Sequence, residues 1–143
     1  MAPFPAEIRM PARLESLYPL MEVVRSSARQ TGAGDERIGE IDLVLEELLV
    51  NIFSYAYPDE PGDVAIVCRP DDAGRLLVEI TDRGIPFDIL TRKDPDVKAD
   101  VNERNIGGLG LFLVKQLVQD IRYRREGGKN IVTLIIEPHA TRL

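Results

Sequence analysis

Apolar residues recur along this chain with a spacing typical of helices in two long segments. Between positions 14 and 28 they fall at three- and four-residue steps, at Leu14, Leu17, Leu20, Met21 and Val24. A longer stripe from about 36 to 55 comprises Ile41, Val44, Leu45, Leu48 and Ile52. Both spacings predict amphipathic helices. Gly32 and Gly34 separate the two segments, and Asp35 is predicted to be the N-cap of the second helix.

Shorter apolar runs predict strands on both sides of these helices. The predicted strands cover residues 6–11, 64–68, 76–81, 122–126 and 131–136. A third helix is expected over about 111–119, and the sequence GGKN between the last two strands is typical of a hairpin turn. This order predicts an α+β fold with a mixed or antiparallel sheet and helices on one face.

One long segment carries no apolar pattern. Residues 91–106, TRKDPDVKADVNERNI, are nearly all polar. The segment is too polar for a core element and too long for an ordinary connection, so we predict a mobile lid.

Composition narrows the possible functions of the chain. Its 143 residues suit a single domain over 1–143, with a net charge of −6 that argues against direct nucleic-acid binding. With one cysteine, Cys68, and one histidine, His139, an internal disulfide, a His-rich metal site and a Ser–His–Asp triad are not expected. The sequence shows neither a membrane span nor a signal peptide, so we expect a cytoplasmic protein without membrane contact.

The second predicted helix carries a carboxylate and an amide on one face. Glu47 and Asn51 are separated by four residues, which places them one above the other at the edge of the apolar stripe. An amide oxygen suits Mg²⁺, and a neighbouring carboxylate can accept a proton from an attacking hydroxyl group. The alternative is an ordinary solvated helix face.

A polar loop follows directly after the strand over 76–81. It reads Asp82-Arg-Gly-Ile-Pro-Phe-Asp88. An aspartate at a strand end can accept a hydrogen bond from an exocyclic amine, Gly84 would let backbone approach a flat ring, and Phe87 would supply an apolar wall. The alternative is a surface turn, because Asp, Gly and Pro are common in turns.

A glycine cluster, Gly107-Gly108-Leu109-Gly110-Leu111, closes the predicted lid and opens the third helix. Backbone N–H groups at such a position can bind an anion, and glycine leaves room for a phosphate. A flexible hinge would have the same composition, and the common phosphate-binding motifs are absent.

Taken in order, the three segments resemble the N, G1 and G2 boxes of the GHKL ATPase superfamily. The resemblance covers about 36–137 and is closest to the RsbW/SpoIIAB-like anti-sigma regulatory factors, which are serine-protein kinases. EELLVNIFSYAYP, DRGIPFD and GGLGLFLV carry the likeness. It implies a Bergerat-type ATP-binding sandwich, with a mixed sheet and helices packed on one face.

The resemblance also implies roles for individual residues. Glu47 would be the catalytic base, with Glu46 a weaker candidate, and Asn51 would hold Mg²⁺ against the phosphates of ATP. Asp82 would bind the adenine amino group, with Gly84 and Phe87 beside it. The phosphates would lie on the backbone of Gly107, Gly108, Leu109, Gly110 and Leu111.

The chain departs from the family pattern at two places. Tyr55 stands where many relatives have a histidine or another polar residue, and we assign it no role. The threonine that helps to hold adenine in relatives has two candidate counterparts, Asn130 and Thr133, between which the sequence does not decide.

The implied function is an ATP-binding anti-sigma factor that phosphorylates an antagonist protein on serine or threonine. Its partners would be a sigma factor and a STAS-type anti-sigma factor antagonist, and a homodimer is plausible by resemblance. One alternative is a non-catalytic, ATP-gated partner-binding module; another is a histidine-kinase-type catalytic domain acting in trans. The stripe that begins at Leu14 would be either a partner surface or part of the core.

Overall fold

A computed structural model describes residues 4–91 and 108–139 of the chain. Nearly all of the predicted lid over 91–106, together with Gly107, lies outside the described residues. Within those ranges, no helix combines the length and the apolar content that a membrane span requires.

The described chain folds into one five-stranded sheet and three helices. The strands are β1 (Ala6–Pro11), β2 (Asp63–Pro70), β3 (Leu76–Asp82), β4 (Asp120–Glu126) and β5 (Lys129–Ile136), and the helices are α1 (Leu17–Gln30), α2 (Asp35–Tyr55) and α3 (Gly108–Leu117). The strand order is β1-β2-β3-β5-β4, and every neighbouring pair is antiparallel. The α+β class is confirmed, and the described sheet is antiparallel rather than mixed.

The core lies between the helices and one face of the sheet. Burial alternates residue by residue along β3, from Leu76 through Val78 and Ile80 to Asp82, because successive side chains of a strand point to opposite faces. Residues of α2 with no exposed surface, such as Leu45 and Leu48, pack against that face. The buried row of β3 therefore continues into a carboxylate at the strand end.

The start of α2 differs from the prediction. The N-cap is Gly34 in an extended conformation, and no side chain caps the helix. Asp35 is the first helical residue instead, and its carboxylate accepts a hydrogen bond from Arg29 at 3.1 Å. Asp35 and Glu36 still favour this end, because negative charge in a first turn complements the helix dipole.

The first helix begins at Leu17, later than predicted, so the first residue of the apolar stripe lies outside it. Leu14 lies in a 3-10 turn and is 65 % exposed, whereas Leu17, Leu20, Met21 and Val24 are buried. The core thus occupies four of the five positions, so of the two alternatives for this stripe the structure supports the core.

A buried arginine joins the first turn of α2 to the ends of α3 and β5. Arg37 is 2 % exposed, pairs with Glu40 at 2.7 Å and donates from Nε to the Glu137 carbonyl at 2.8 Å. Gln119, just before β4, accepts from both the Arg37 Nη2 and the Glu137 backbone N–H. A buried charge requires such partners, and these tie α2 to the ends of α3 and β5.

The hairpin between β4 and β5 forms as predicted. Its two turn residues, Gly127 and Gly128, have φ values of 59° and 75°, which two-residue hairpins of the type I′ class require. The turn sets Arg125 opposite Asn130 and Tyr123 opposite Val132. This register places Tyr123 diagonally across from Asn130 on the helix-covered face.

The packing of α2 predicts unequal losses of stability when two leucines two positions apart are replaced by alanine. Leu45→Ala is expected to lower the free energy of unfolding by about 3 kcal/mol, because it leaves a cavity in the core. Leu43, which is 52 % exposed, provides the control, and Leu43→Ala should cost less than about 0.5 kcal/mol. Urea unfolding followed by circular dichroism measures both; equal losses would contradict the orientation of α2.

Candidate functional site

The structure places Glu47 and Asn51 together on one face of α2. The Asn51 Nδ2 donates to the Glu47 carbonyl at 2.7 Å and to the Glu47 Oε1 at 3.0 Å. Both of these atoms can only accept, so the amide nitrogen must face Glu47 and the amide oxygen is turned away from it. Asn51 is buried and Glu47 is half-buried, whereas Glu46 is exposed.

Helix α3 brings its first turn against this pair. A Cβ added to Gly110 would fall on the Glu47 carboxylate, so only glycine leaves the carboxylate its present place. Glu47 and Gly110 also line a cleft of about 320 Å³ between α2 and α3, whose other walls are largely apolar. The helix begins at Gly108 rather than near Leu111, and the Leu111 side chain is buried.

Asp82 forms the second part of the site, at the end of β3. It is 5 % exposed, and its Oδ1 accepts hydrogen bonds from the Gly84 backbone N–H and from the Asn130 Nδ2, both at 2.9 Å. Within the part of the chain that the structure describes, its Oδ2 accepts no hydrogen bond. A buried carboxylate oxygen of this kind is suited to a donor supplied by a ligand.

The surroundings of Asp82 disfavour its charge. Burial raises the pKa of Asp82 above its ordinary value. The hydrogen bonds from Asn130 and Gly84 and the positive charge of Arg125 oppose this rise without cancelling it. Because the folded pKa exceeds the unfolded one, protonation of Asp82 stabilises the fold at low pH, and this stabilisation is lost as the pH rises through the folded pKa.

The two candidate counterparts of the family threonine lie on opposite faces of β5. Asn130 is 3 % exposed and lies opposite Asp82 in the register. Thr133 lies between Glu79 and Arg122 on the other face of the sheet. Of the two, only Asn130 is brought to Asp82.

The backbone at Gly84 lies against the end of α2. A Cβ at this position would lie 2.6 Å from the carbonyl carbon of Ala56 and 2.7 Å from its Cβ. The Ile85 N–H donates to the Ala56 carbonyl at 2.9 Å, so the loop is seated on the end of α2. The glycine therefore permits close contact between two parts of the protein.

An aromatic pair connects the loop to α2. The rings of Phe87 and Tyr55 stack with centroids 5.6 Å apart and an interplanar angle of 27°. Tyr55 lies one helical turn after Asn51, so the stack lies between the Asp82 end and the Asn51 end of the site. Tyr55, to which we assigned no role from the sequence, thus contributes to the packing of the predicted site.

The two ends of the site line separate cavities among the described residues. Asp82 contributes to a cavity of about 250 Å³ that is distinct from the cleft beside Glu47. Its lining includes Arg9, Ala65 and Thr81, which pair in register on the face of the sheet away from the helices. Contacts within the protein connect Asp82 to α2 by way of Asn130, the Phe87 backbone and the Phe87–Tyr55 stack. Sequence reasoning missed Tyr123 and Arg125, which bind Asn130 and the Gly84 carbonyl.

The described residues contain no group of three or more His, Cys, Asp or Glu side chains arranged to hold a metal ion. Asn51 supplies an oxygen donor of the type that Mg²⁺ prefers, but one protein ligand does not make a metal site. Mg²⁺ is commonly held by one or two protein groups together with phosphate oxygens. The donor set at Asn51 fits a metal that arrives with a nucleotide.

Two solved structures share this architecture. One is the crystal structure of the RsbU and RsbW domains of a Mycobacterium tuberculosis protein, with a TM-score of 0.60, 18 % identity and 99 % of this chain covered. The other is a histidine kinase domain from Erythrobacter litoralis EL346, with a TM-score of 0.54, 24 % identity and 85 % coverage. The chain spans 34 % and 60 % of their lengths, and at these identities the likeness shows the fold alone.

Two relatives are similar to this chain in amino-acid sequence. A serine-protein kinase RsbW from Bacillus cereus (strain AH187) is 27 % identical over 130 residues, and one from Bacillus thuringiensis (strain Al Hakam) is 28 % identical over 130 residues. Each alignment covers 88 % of this chain and 81 % of the relative. The RsbW-like resemblance inferred from the three motifs is therefore confirmed.

The contact between Gly84 and Ala56 predicts opposite effects for two glycine substitutions. Gly84→Ala is expected to lower the free energy of unfolding by about 1–3 kcal/mol, because the added methyl group meets backbone atoms. Gly39→Ala is the control: no atom lies within 4 Å of its added Cβ, and alanine in a helix interior should stabilise by about 0.5–1 kcal/mol. Thermal unfolding measures both changes, and a neutral Gly84→Ala would contradict the close contact.

The family itself is shown by a match over most of the chain. A family model described as the histidine kinase-like ATPase domain matches residues 10–136, which include α2, the loop after β3 and α3. These are the three segments from which the GHKL resemblance was inferred. The chain belongs to the histidine kinase-like ATPase domain family.

Proposed function

We propose that this protein is an ATP-binding anti-sigma regulatory factor that phosphorylates an antagonist protein on serine or threonine. The observation that carries the proposal is the buried Asp82, whose Oδ2 accepts no hydrogen bond from the described residues. An adenine amino group is a donor of the kind that this oxygen lacks. The names of the RsbW relatives and the family match support the same reading.

The purine would lie at the Asp82 end of the site and the phosphates near Asn51. Phe87, stacked on Tyr55, would form an apolar wall beside the base. Gly110 and the backbone at the start of α3 would lie beside the phosphates, where helix N–H groups favour negative charge. The rest of the predicted phosphate-binding backbone comprises Gly107, Gly108, Leu109 and Leu111.

The Glu47 carboxylate would act on the hydroxyl group that attacks the terminal phosphate. Its Oε1 is fixed by the Asn51 Nδ2 at 3.0 Å, and within the described ranges its Oε2 accepts no hydrogen bond. This second oxygen can accept the proton of a substrate serine. The same hydrogen bond turns the Asn51 oxygen away from Glu47, and this oxygen would be the protein ligand of Mg²⁺.

When bound, Mg²⁺ would neutralise charge on the phosphates, which is the main chemical requirement of phosphoryl transfer. The protein would contribute position: Asn51 and Glu47 on successive turns of one rigid helix, with Gly110 against the carboxylate. The proposed partners are a sigma factor and a STAS-type anti-sigma factor antagonist, and the proposed unit is the single domain over 1–143.

Binding of ATP is tested through Asp82. Asp82→Asn should weaken ATP binding by about 10- to 100-fold, because an amide nitrogen would replace the acceptor that meets the adenine amine. The thermal midpoint at neutral pH should stay unchanged or rise, since the substitution removes a buried charge whose pKa is raised. Isothermal titration with ATP and Mg²⁺ measures the affinity.

Asp120→Asn is the matched control for this test, because Asp120 is part-exposed on β4 and paired with Arg122. Its ATP affinity should equal that of the wild type. Equal affinities for all three proteins would overturn the assignment of Asp82.

Transfer of phosphate is tested through two adjacent glutamates. With ATP, Mg²⁺ and a STAS-type antagonist from the same genome, Glu47→Gln should slow serine or threonine phosphorylation by about 10²- to 10⁴-fold. Glu46→Gln is the matched control, because the Glu46 side chain is exposed and the Asn51 amide nitrogen binds Glu47 instead; it should transfer at the wild-type rate.

Phosphate incorporation is followed by mass spectrometry, with ATP affinity measured in parallel. An active Glu47→Gln protein would exclude Glu47 as the base. A wild-type protein that binds ATP and the antagonist without transferring phosphate would establish the non-catalytic, ATP-gated binding module instead.

A further inference from the structure

The Asn130 side chain is fully engaged by the protein. Its Nδ2 donates to the Asp82 Oδ1 at 2.9 Å and to the Ile85 carbonyl at 2.7 Å. Its Oδ1 accepts from the Tyr123 hydroxyl at 2.6 Å and from the Phe87 N–H at 3.2 Å. A side-chain amide offers two donors and two acceptor positions, so every one is used.

These four partners also fix the orientation of the amide. The nitrogen faces a carboxylate and a carbonyl, which can only accept, and the oxygen faces two donors. A rotation by 180° would set the amide oxygen against the oxygens of Asp82 and Ile85. Asn130 therefore has no hydrogen bond to offer a ligand unless it gives up one that it already makes.

The bonds made by Asn130 and Gly84 make the two oxygens of the Asp82 carboxylate inequivalent. Asn130 and the Gly84 N–H both bind Oδ1, which leaves Oδ2 as the oxygen that can meet a ligand. Among the described residues, Arg125 on β4 and the Tyr57 hydroxyl after α2 interact electrostatically with Asp82. The cationic side chains of Arg9, Arg83 and Lys129 line the same cavity as Asp82. Arg125 donates to the Gly84 carbonyl at 2.8 Å, so it also holds the loop beside Asp82.

Tyr123 reaches this network from the neighbouring strand. It pairs with Val132 in the register, which sets it diagonally across from Asn130 on the same face of the sheet. Of the two donors to the amide oxygen, it makes the shorter bond and is the only one supplied by a side chain. Replacing its hydroxyl group removes one of the four hydrogen bonds that hold the Asn130 amide, while the aromatic ring of residue 123 stays in place.

We propose that Asn130 and Tyr123 are positioning residues that select the Asp82 oxygen offered to the purine, and that neither contacts the nucleotide. This inference rests on the proposed binding of ATP at Asp82. It differs from a direct role for Asn130 at the base, because a direct contact would break one of the four bonds described above.

The first test removes the Tyr123 hydroxyl. Tyr123→Phe is expected to weaken ATP binding about fivefold, which corresponds to one neutral hydrogen bond. Inosine triphosphate, which lacks the amino group, should bind the wild type more weakly than ATP and should be unaffected by the substitution. The ratio of the two affinities therefore falls, which a general loss of stability would not produce.

Tyr18→Phe provides the matched control, because Tyr18 is 71 % exposed on α1. It should leave both affinities unchanged. An unaltered ratio in Tyr123→Phe would overturn the role of Tyr123.

The second test reverses the pH dependence of binding. In Asn130→Asp the introduced carboxyl group faces Asp82, and two adjacent carboxylates resist ionising together. At mildly acidic pH the carboxyl groups of residues 82 and 130 share one proton. The hydrogen bond made by this proton replaces the one that the Asn130 amide donates to Asp82 in the wild type. ATP affinity should then fall at least tenfold as the pH rises and that proton leaves, whereas wild-type affinity should fall only towards acid.

Isothermal titration over pH 5 to 9, well below the melting temperature, separates the possible outcomes. A wild-type protein that does not prefer ATP to inosine triphosphate would contradict the proposed binding at Asp82. A wild-type protein that prefers ATP, with an Asn130→Asp profile parallel to its own, would contradict the positioning role alone. If Asn130→Asp does not fold, the affinity ratio of Tyr123→Phe decides the question.

Discussion

The structure depends on a carboxylate kept inside the protein at the end of an apolar row. Leu76, Val78 and Ile80 lead along β3 to Asp82, which remains 5 % exposed. Burying an ionisable group costs stability unless partners compensate, and here the described residues compensate only one of its oxygens. Proteins leave buried polar atoms unpaired mainly at functional sites, and this arrangement fits a site that a ligand completes.

The loop after β3 and the end of α2 give this carboxylate its fixed place. Gly84 lies against Ala56, and Arg125 holds the Gly84 carbonyl from β4. The Tyr55–Phe87 stack then joins the loop to the helix that carries Asn51 and Glu47. The helix acts as a rigid spacer, so residues at both ends of the proposed nucleotide site keep a constant separation.

Much of this arrangement follows from local sequence pattern. The spacing of apolar residues predicted α2, the alternating runs predicted the five strands, and the GGKN turn predicted the final hairpin. Local pattern was less reliable at the ends of helices. The N-cap of α2 is Gly34 rather than the predicted Asp35, and Leu14 lies in a 3-10 turn before α1. Helix ends fray and often contain a 3-10 turn, so the spacing of apolar residues alone does not locate them.

Features that depend on strands distant in sequence were not predictable. Asn130 and Thr133 both remained candidates, because the choice requires the register between β3 and β5, which are separated by α3 and β4. Tyr123 and Asn130 belong to one predicted hairpin, but their contact lies on its diagonal and follows only from the exact register. The contact that requires a glycine at position 84 was not predictable either, because its neighbour, Ala56, lies at a helix end nearly thirty positions earlier.

A crystal structure of the protein with Mg²⁺ and a non-hydrolysable ATP analogue tests the central claim most directly. We expect the adenine amino nitrogen at roughly 3 Å from the Asp82 Oδ2, with Oδ1 still bound by Asn130, and the phosphates between Asn51 and the start of α3. An analogue bound elsewhere, or adenine held by Asn130 with Asp82 making no contact to it, would contradict the account.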